Sequence, residues 1–419
     1  DYTLPWKGSV WKSGRQIRPF YDLPLKTSLL PAHSAMTVPT FSRTTTGTVV
    51  DFEGIIHTAK INEARFQGAR RIEDLVDGVK YFNTDSAGKK IPNAILRGYL
   101  NEPQGTNLVE YSEDYSQTPH WDGSNTTIAT NQTIAPDGTL TADKISFASA
   151  SPTSYIYQSM ARTISIGDIY TISAYTKTSD RILAFGGATP AGTDVYSIRN
   201  VENGWYRQII TRTFTASGSV IQHLFSSSIG SVGVSEHFIW GSQTEESSFP
   251  TSYIKTEAST ITRTADSLTV DNSDRDVLPN SFALAGTWTP LGNGGDYDNS
   301  DLRLFDTQDS RGDAYEITVI GGTDYGYAAG TGGGVFTVKK ADLIKGTENK
   351  YAFQVFQDGS DVNAKIYKDG VEKLSETETQ TLDHSNESLE LGTVFASNIK
   401  DIKIYNKKLT DSQLKVVTS

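Results

Sequence analysis

The sequence predicts an all-β protein, and three observations support this fold class. Short runs of β-branched and aromatic residues alternate with small polar residues, as in residues 169–177 and 208–216, and this alternation is typical of half-buried strands. The 36 glycines and 20 tyrosines suit a chain with many turns and many amphipathic strand positions. Gly, Asn, Asp and Ser separate the runs at regular spacing, which indicates sandwich or jelly-roll domains.

Length and composition limit the number of domains and the classes of partner. A chain of 419 residues exceeds the roughly 250–300 residues at which a single core stops growing, so we expect two or three domains. The absence of cysteine excludes disulfides and thiolate metal sites. The net charge of −11 disfavours nucleic acid and anionic membranes as partners, because neutralising phosphate requires clustered Lys and Arg. No apolar run approaches the ~20 residues of a membrane span, so no membrane insertion is expected.

Residues 1–40 are predicted to form an extended attachment arm. Prolines recur throughout this segment, and proline prevents regular helix and interrupts sheet ladders. An extended arm cannot bury large aromatic residues such as Trp6, Trp11 and Phe20 by itself. Two interpretations therefore stay open: the arm attaches to another subunit or protein of a larger assembly, or it folds back on its own chain.

Residues 41–104 are predicted to be a connector that contains a β-hairpin with its turn at residues 52–54. Acidic and basic residues then follow at short spacing. A catalytic charge cluster is one interpretation of them, and a salt-bridge network is the commoner one: Glu63, Arg65, Arg70, Arg71, Glu73 and Asp74.

Residues 105–265 are predicted to form a jelly roll, and five motifs in this segment carry a resemblance. In chain order they are NLVEYSEDYS, APDGTLTADK, WYR, FIWGSQTEESSFPTSYIKT and TRTAD. Together they resemble the carbohydrate-binding-module-like jelly roll of bacteriophage tail-fibre and other virion surface proteins. The segment from Phe41 to Leu75 also resembles the region that lies just before this jelly roll in phage fibre proteins.

The resemblance implies a component of the virion surface, a fibre, spike or decoration protein, that displays lectin-like domains. It implies polyvalent binding of host or environmental surface polysaccharide, attachment to other virion proteins through the N-terminal arm, and a homotrimer by analogy with fibres. A purely structural capsid or tail decoration protein is one alternative, and a polysaccharide depolymerase is another. We predict no enzyme, since the chain lacks a Gly-x-Ser-x-Gly elbow and zinc-ligand spacing. A glycosidase stays open, because the sequence does not say which two carboxylates converge.

Four aromatic residues of the predicted jelly roll are candidate carbohydrate-binding residues: Trp121, Tyr155, Tyr157 and Trp205. Exposed aromatic rings stack on the C–H faces of sugars, while nearby polar groups bind the hydroxyls. Trp121 lies in a loop-like segment and is expected to be the exposed ring. Tyr155 and Tyr157 share one face of a strand, whereas Trp240 is expected in the core. One residue of the Trp205–Tyr206 pair should face inward.

Residues 266–280 form a polar linker, and residues 281–419 are predicted to form a second β-sandwich. The segment IYKDGVEK reads as a hairpin with Asp369–Gly370 as its turn. The segment IKDIKIYNKKLTDSQL reads as a strand followed by a helical turn that Thr410 caps. Both segments resemble the concanavalin-like, laminin-G-type sandwich.

One candidate metal site precedes these segments. Asp296, Asp298 and Asp301 place carboxylates at the short spacing that suits the oxygen ligands of calcium. A polar surface loop explains the same cluster. No other cofactor is expected.

Overall fold

A computed structural model gives the structure of the protein. It describes residues 10–12, 15–17, 19–32, 37–76, 78–148, 153–229, 235–271, 281–292, 305–308, 315–316, 326–328, 334–337, 344–379, 388–391 and 396–419. These residues form 33 strands and one helix, which confirms the all-β prediction. The candidate calcium ligands Asp296, Asp298 and Asp301 lie outside the described residues.

The elements are numbered in chain order. The first half contains β1 (Val10–Lys12), β2 (Arg15–Ile17), β3 (Tyr21–Leu23), β4 (Thr40–Ser42), β5 (Gly47–Val50), β6 (Ile56–Ala59), β7 (Phe66–Gln67), β8 (Arg70–Asp74), β9 (Gly78–Phe82), β10 (Gly98–Asn101), β11 (Gly105–Asn107), β12 (Asp122–Ser124), β13 (Thr126–Thr133), β14 (Ala142–Phe147), β15 (Tyr155–Ile164), β16 (Ile169–Thr176) and β17 (Leu183–Phe185). The second half contains β18 (Gly192–Asn200), β19 (Tyr206–Phe214), β20 (Gly218–Ser226), β21 (Glu236–Glu245), β22 (Ile261–Arg263), β23 (Ser267–Val270), β24 (Phe282–Pro290), β25 (Phe305–Gln308), β26 (Tyr315–Glu316), β27 (Gly326–Ala328), β28 (Gly334–Thr337), β29 (Asn349–Asp358), β30 (Asp361–Lys368), β31 (Val371–Thr379), β32 (Ser388–Leu391), β33 (Ser397–Tyr405) and the helix α1 (Asp411–Val417).

The chain divides into two compact units. Unit 1 comprises Asp1–Thr44, Ile61–Pro103 and Ala265–Ser419, and unit 2 comprises Thr45–Lys60 and Gln104–Thr264. The division into arm, connector, jelly roll, linker and second sandwich stays a prediction. The compact units group the residues differently, because the hairpin β5–β6 of the expected connector belongs to unit 2.

Unit 2 is a sandwich of two antiparallel sheets. One sheet has the order β12-β15-β20-β17, and the other has the order β13-β14-β21-β16-β19-β18. Side chains from both sheets form a common core, to which Ile156 and Phe225 contribute from the first sheet and Ile172 and Ile210 from the second. Strand β15 shows how the sequence specifies this arrangement: alternate residues are buried, so one face enters the core and the other faces out.

A second apolar cluster covers the other face of the six-stranded sheet. Trp205, Trp240 and Tyr253 pack there with Ile56 from the hairpin β5–β6. The expectation of a core position for Trp240 is confirmed, since only 1% of the residue is exposed. The hairpin itself is also confirmed, and Asp51 closes its turn by accepting backbone N–H groups at positions 53 and 55.

Unit 1 contains two larger sheets. The first has the order β31-β30-β29-β24-β33-β10-β7, with β3 also paired to β33, and the second has the order β27-β28-β26-β25-β32-β23-β4. The predicted turn Asp369–Gly370 joins β30 to β31, and both residues have positive φ, as a two-residue hairpin turn requires. The predicted final helix is α1, where the Thr410 N–H donates to the side-chain oxygen of Gln413.

Part of the expected arm folds back on its own unit. Strand β3 pairs antiparallel with β33, and Tyr21, Leu23 and Leu25 are almost completely buried. Of the two interpretations left open for residues 1–40, the second therefore holds for this stretch. The physical reason is that β33 offers a free edge beyond its pairing with β10, and an extended apolar segment can occupy it.

Four charged residues of the expected connector form ion pairs: Glu63, Arg65, Arg71 and Glu73. Arg65 contacts Glu102 (2.8 Å) and also Asp266, and all three side chains are buried. Arg71 binds Glu63 with a nitrogen–oxygen distance of 2.9 Å. The salt-bridge interpretation therefore holds for these residues.

Candidate functional site

The candidate site is a surface cleft of unit 2 with a volume of about 390 Å³. It lies along β15, where the neighbouring strand β12 has ended. Strand β12 pairs only with residues Tyr155 to Tyr157, whereas β15 continues to Ile164. One edge of β15 is therefore open beside residues 158–162, and these residues line the cleft.

Gln158 connects this open edge to the opposite wall. Its side-chain oxygen accepts the Glu110 N–H at 2.7 Å, and its side-chain nitrogen donates to the Glu110 carbonyl at 2.8 Å. The amide thus provides the two hydrogen bonds that a paired strand would otherwise make. Gln158 is 4% exposed, so we regard it as a positioning residue that fixes Glu110 beside the cleft.

Trp121 anchors the loop that forms the second wall. The expectation that its ring is exposed is wrong, because the residue is 2% exposed. The ring packs against Tyr115 at 4.7 Å, and its indole N–H donates to the Tyr111 carbonyl at 3.2 Å. Since Trp121 turns into the core, its chain neighbours His120 and Asp122 line the cleft.

A carboxylate–imidazole pair lies in this wall. The Nδ1 atom of His120 is 2.5 Å from a carboxylate oxygen of Glu110, and each side chain is about one-third exposed. The His120 ring also packs edge-on against Tyr111, with ring centroids 4.8 Å apart. The two contacts fix the imidazole at the rim of the cleft.

Tyr157 presents the aromatic surface of the site. Its hydroxyl donates to the Oδ2 atom of Asp122 at 3.1 Å, and the ring is partly exposed. Burial, followed by the bond to Asp122, raises the pKa of Tyr157, so its hydroxyl keeps the donor proton. Tyr155 lies beside it on the outward face of β15, with ring centroids 5.8 Å apart. The structure thus brings two of the four candidate aromatic residues together.

Trp205, the remaining candidate, is buried at 2% exposure. Its indole N–H donates to the Ile134 carbonyl, and the ammonium group of Lys177 lies 5.4 Å from its ring centroid. The expectation that one residue of the Trp205–Tyr206 pair faces inward is confirmed. The ring has no free face for a ligand, because it belongs to the cluster beneath β5–β6.

Within the described part of the chain, no group of three or more His, Asp or Glu residues is arranged to hold a metal ion. None of the described helical residues forms a segment long and apolar enough to cross a bilayer.

The comparisons with known proteins find only distant likenesses. No protein-family model and no curated protein matches the sequence. The CBM40 of Ruminococcus gnavus IT-sialidase, solved with α2,3-sialyllactose, is 12% identical over 33% of this chain and 83% of that chain, with a TM-score of 0.27. A heptameric SAP-like pentraxin from Limulus polyphemus is 10% identical over 34% and 72%, with a TM-score of 0.22.

A tandem of CBM22 domains from Paenibacillus barcinonensis Xyn10C covers more of the chain. It is 9% identical over 74% of this chain and 99% of that chain, with a TM-score of 0.22. These solved neighbours include carbohydrate-binding modules, and none of the three comes from a phage.

Proposed function

We propose that unit 2 binds carbohydrate in the cleft beside β15. The observation that carries this proposal is the partly exposed ring of Tyr157, which stands beside a polar wall formed by Glu110, His120 and Asp122. The C–H faces of a sugar ring are apolar and pack on an aromatic ring, while its hydroxyls need donors and acceptors around the rim. Tyr155 extends the aromatic surface along the outward face of β15.

The dimensions of the cleft support the same proposal. Its volume of about 390 Å³ falls within the roughly 300–1,000 Å³ that is usual for small-molecule sites. Because Trp121 and Gln158 are buried and bonded to the wall segments, the polar groups are held in place before a ligand arrives. Such preorganisation reduces the entropy lost on binding.

The biological setting follows from the sequence resemblance and is part of the proposal. The chain would be a non-enzymatic component of a bacteriophage virion surface, attached to other virion proteins through the N-terminal arm and assembled as a homotrimer. Many copies on one particle would convert weak binding of host or environmental polysaccharide into strong attachment. Calcium at Asp296, Asp298 and Asp301 belongs to the same proposal and would be tested by thermal unfolding with calcium and with chelator.

Two alternatives compete with glycan binding. A purely structural decoration protein would leave the cleft without a ligand. A depolymerase would use Glu110 and Asp122, the two carboxylates of the cleft, as acid and base. Each of them already has a partner in the structure, Glu110 with His120 and Asp122 with Tyr157.

A glycan array would first identify sugars that bind to the protein, and isothermal titration with these sugars would then test the proposal. Tyr157→Ala should weaken binding by about tenfold or more, since about 1.4 kcal/mol corresponds to each factor of ten. Tyr157→Phe keeps the ring and should retain most of the affinity. Tyr206→Ala removes another partly exposed tyrosine of unit 2 and serves as the matched control. Equal affinities of wild type and Tyr157→Ala would exclude this cleft as the binding site.

Size analysis of the polysaccharide after incubation, added to the titrations, separates the alternatives because it reports hydrolysis. If wild type shortens the polymer and Asp122→Asn leaves it full-length, the depolymerase alternative is supported. No binding to any glycan would leave the structural alternative ahead.

A further inference from the structure

Arg162 is the positively charged side chain of the cleft that lacks a carboxylate partner. Its Nη1 atom donates to the carbonyl of the preceding residue, Ala161, at 2.7 Å. Among the described residues, Arg162 takes part in no ion pair. The guanidinium group carries five N–H donors, so most of its donors stay available to a molecule in the cleft.

The two carboxylates of the cleft, in contrast to Arg162, contact other side chains of the cleft. Glu110 contacts His120 at 2.5 Å, and Asp122 accepts the Tyr157 hydroxyl at 3.1 Å and the Gly123 N–H at 2.8 Å. Neither of them bonds to Arg162. The cleft therefore holds two carboxylates that are hydrogen-bonded to other groups, together with one arginine that bonds to neither of them.

From this arrangement we infer that the cleft recognises an acidic sugar, one that bears a carboxylate or a sulfate group, and that Arg162 binds the anionic group. The inference rests on the proposed function and specifies its ligand class. A guanidinium group presents parallel donors that match two oxygens of a carboxylate or sulfate, and such charge-assisted pairs are about twice as strong as neutral hydrogen bonds. Tyr157 would then bind the ring of the sugar while Arg162 binds its charge.

The acidic net charge of the chain does not prevent an anionic ligand from binding beside Arg162, because most of that charge lies too far from the cleft. At physiological ionic strength the Debye length is about 8 Å, so charges elsewhere on the surface are largely screened from a ligand in the cleft. Glu110 and Asp122 line the same cleft, so the anionic group must contact Arg162 directly and lie away from these two carboxylates. The direct contact with Arg162 is screened much less once the cleft excludes water. Added salt should therefore weaken binding of an acidic glycan more than binding of a neutral one.

The test is a panel of matched oligosaccharides bound to the full chain. Each acidic member, carrying a uronate, a sialyl or a sulfate group, is paired with its neutral counterpart, such as the methyl ester or the unsulfated sugar. Wild type is expected to bind acidic members at least about tenfold more tightly than their neutral counterparts. Comparing carboxylate with sulfate members then identifies which anion the site prefers.

Three variants assign the effect to one side chain. Arg162→Gln should remove the preference for acidic members and leave neutral affinities within about twofold, and Arg162→Lys should restore part of the preference. Arg181→Gln is the matched control, because it removes the same charge from a residue that does not line the cleft. Circular dichroism verifies that each variant is folded.

The outcomes separate this inference from the proposed function. If acidic and neutral members bind equally, or if Arg162→Gln keeps the preference, the inference is overturned and glycan binding stands. If no member of the panel binds to wild type, both the inference and the proposed function fail.

Discussion

His223 should make the stability of unit 2 depend on pH. Its ring is fully buried in the sandwich core, with Nδ1 3.1 Å from the hydroxyl oxygen of Thr244. The Nε2 atom has no hydrogen-bond partner among the described residues. Burial disfavours the charged imidazolium and lowers the pKa of His223 from 6.5 to about 3.

The direction and size of the effect follow from linkage. Below pH 6.5 the unfolded chain binds a proton at this histidine, whereas the folded chain does not until about pH 3. The free energy of unfolding therefore falls as the pH falls through this window. Because the unfolded histidine is already half protonated at pH 6.5, the change from pH 6.5 to 4.5 corresponds to about 1.7 pH units at about 1.36 kcal/mol each, or about 2.3 kcal/mol. This is a large share of the about 5–15 kcal/mol that stabilises a typical domain.

Guanidinium unfolding at pH 7.5, 6.5, 5.5 and 4.5 measures this dependence. Tryptophan fluorescence follows the unfolding, since Trp121, whose ring lies 5.9 Å from that of His223, is buried together with Trp205 and Trp240 in unit 2. The comparison protein is His223→Gln, which keeps a polar group near Thr244 and does not titrate. Asp143, whose pKa burial raises to about 6, acts in the opposite direction. Its contribution cancels when the two proteins are subtracted.

The expected result is a difference between wild type and His223→Gln that changes by about 2.3 kcal/mol between pH 6.5 and pH 4.5. Wild type should lose more stability than the variant as the pH falls. Parallel pH curves for the two proteins would refute the reasoning, because they would mean that the buried imidazole does not resist protonation.

Two further changes test the packing of each unit. Asp266→Ala removes the buried carboxylate to which Arg65 binds in unit 1, and it should lower the free energy of unfolding by about 3–5 kcal/mol; a loss below about 1 kcal/mol in guanidinium unfolding would contradict this role. Gly54→Ala should destabilise unit 2 by more than about 1 kcal/mol, because Gly54 has a φ of +83° and an added Cβ would lie 2.5 Å from the Val201 carbonyl oxygen. Gly138→Ala is the control, with the same φ and no atom closer than 4.0 Å; equal melting temperatures of the two variants would exclude a cost from the close approach.

The sequence predicts those features of the fold that depend on neighbouring residues. The alternation in β15 placed Tyr155 and Tyr157 on one outward face, and the Asp369–Gly370 pair correctly marked a hairpin turn. Both signals are local, since strand periodicity and positive φ are properties of a few consecutive residues. The same holds for the helix that begins after Thr410.

The interior position of Trp121 could not be predicted in this way. A proline-flanked segment with Asp and Gly is typical of an exposed loop, so the ring was expected at the surface. Its burial depends on Tyr115 and Phe225, which close around it from other parts of the fold. Trp121 nevertheless marks the position of the site in the sequence, because its chain neighbours His120 and Asp122 line the cleft.

Other parts of the site depend on residues that are distant in the sequence. Gln158 fixes Glu110 across 48 residues, and no periodicity relates the two positions. No sequence signal marks Arg162, because a single arginine in a strand is usually a solvated residue. Only the start of β12 at Asp122, which pairs with Tyr157 and leaves the edge of β15 open beyond it, makes these side chains the lining of a cleft.

Hydrogen–deuterium exchange of the full chain with and without a bound oligosaccharide tests carbohydrate binding in the cleft most directly. The glycan should be the tightest binder from the titrations, present at saturating concentration. We predict slower exchange in residues 119–123 and 157–162, with little change in β18 or in unit 1. Protection confined to unit 1, or to strands of unit 2 that do not line the cleft, would contradict the account.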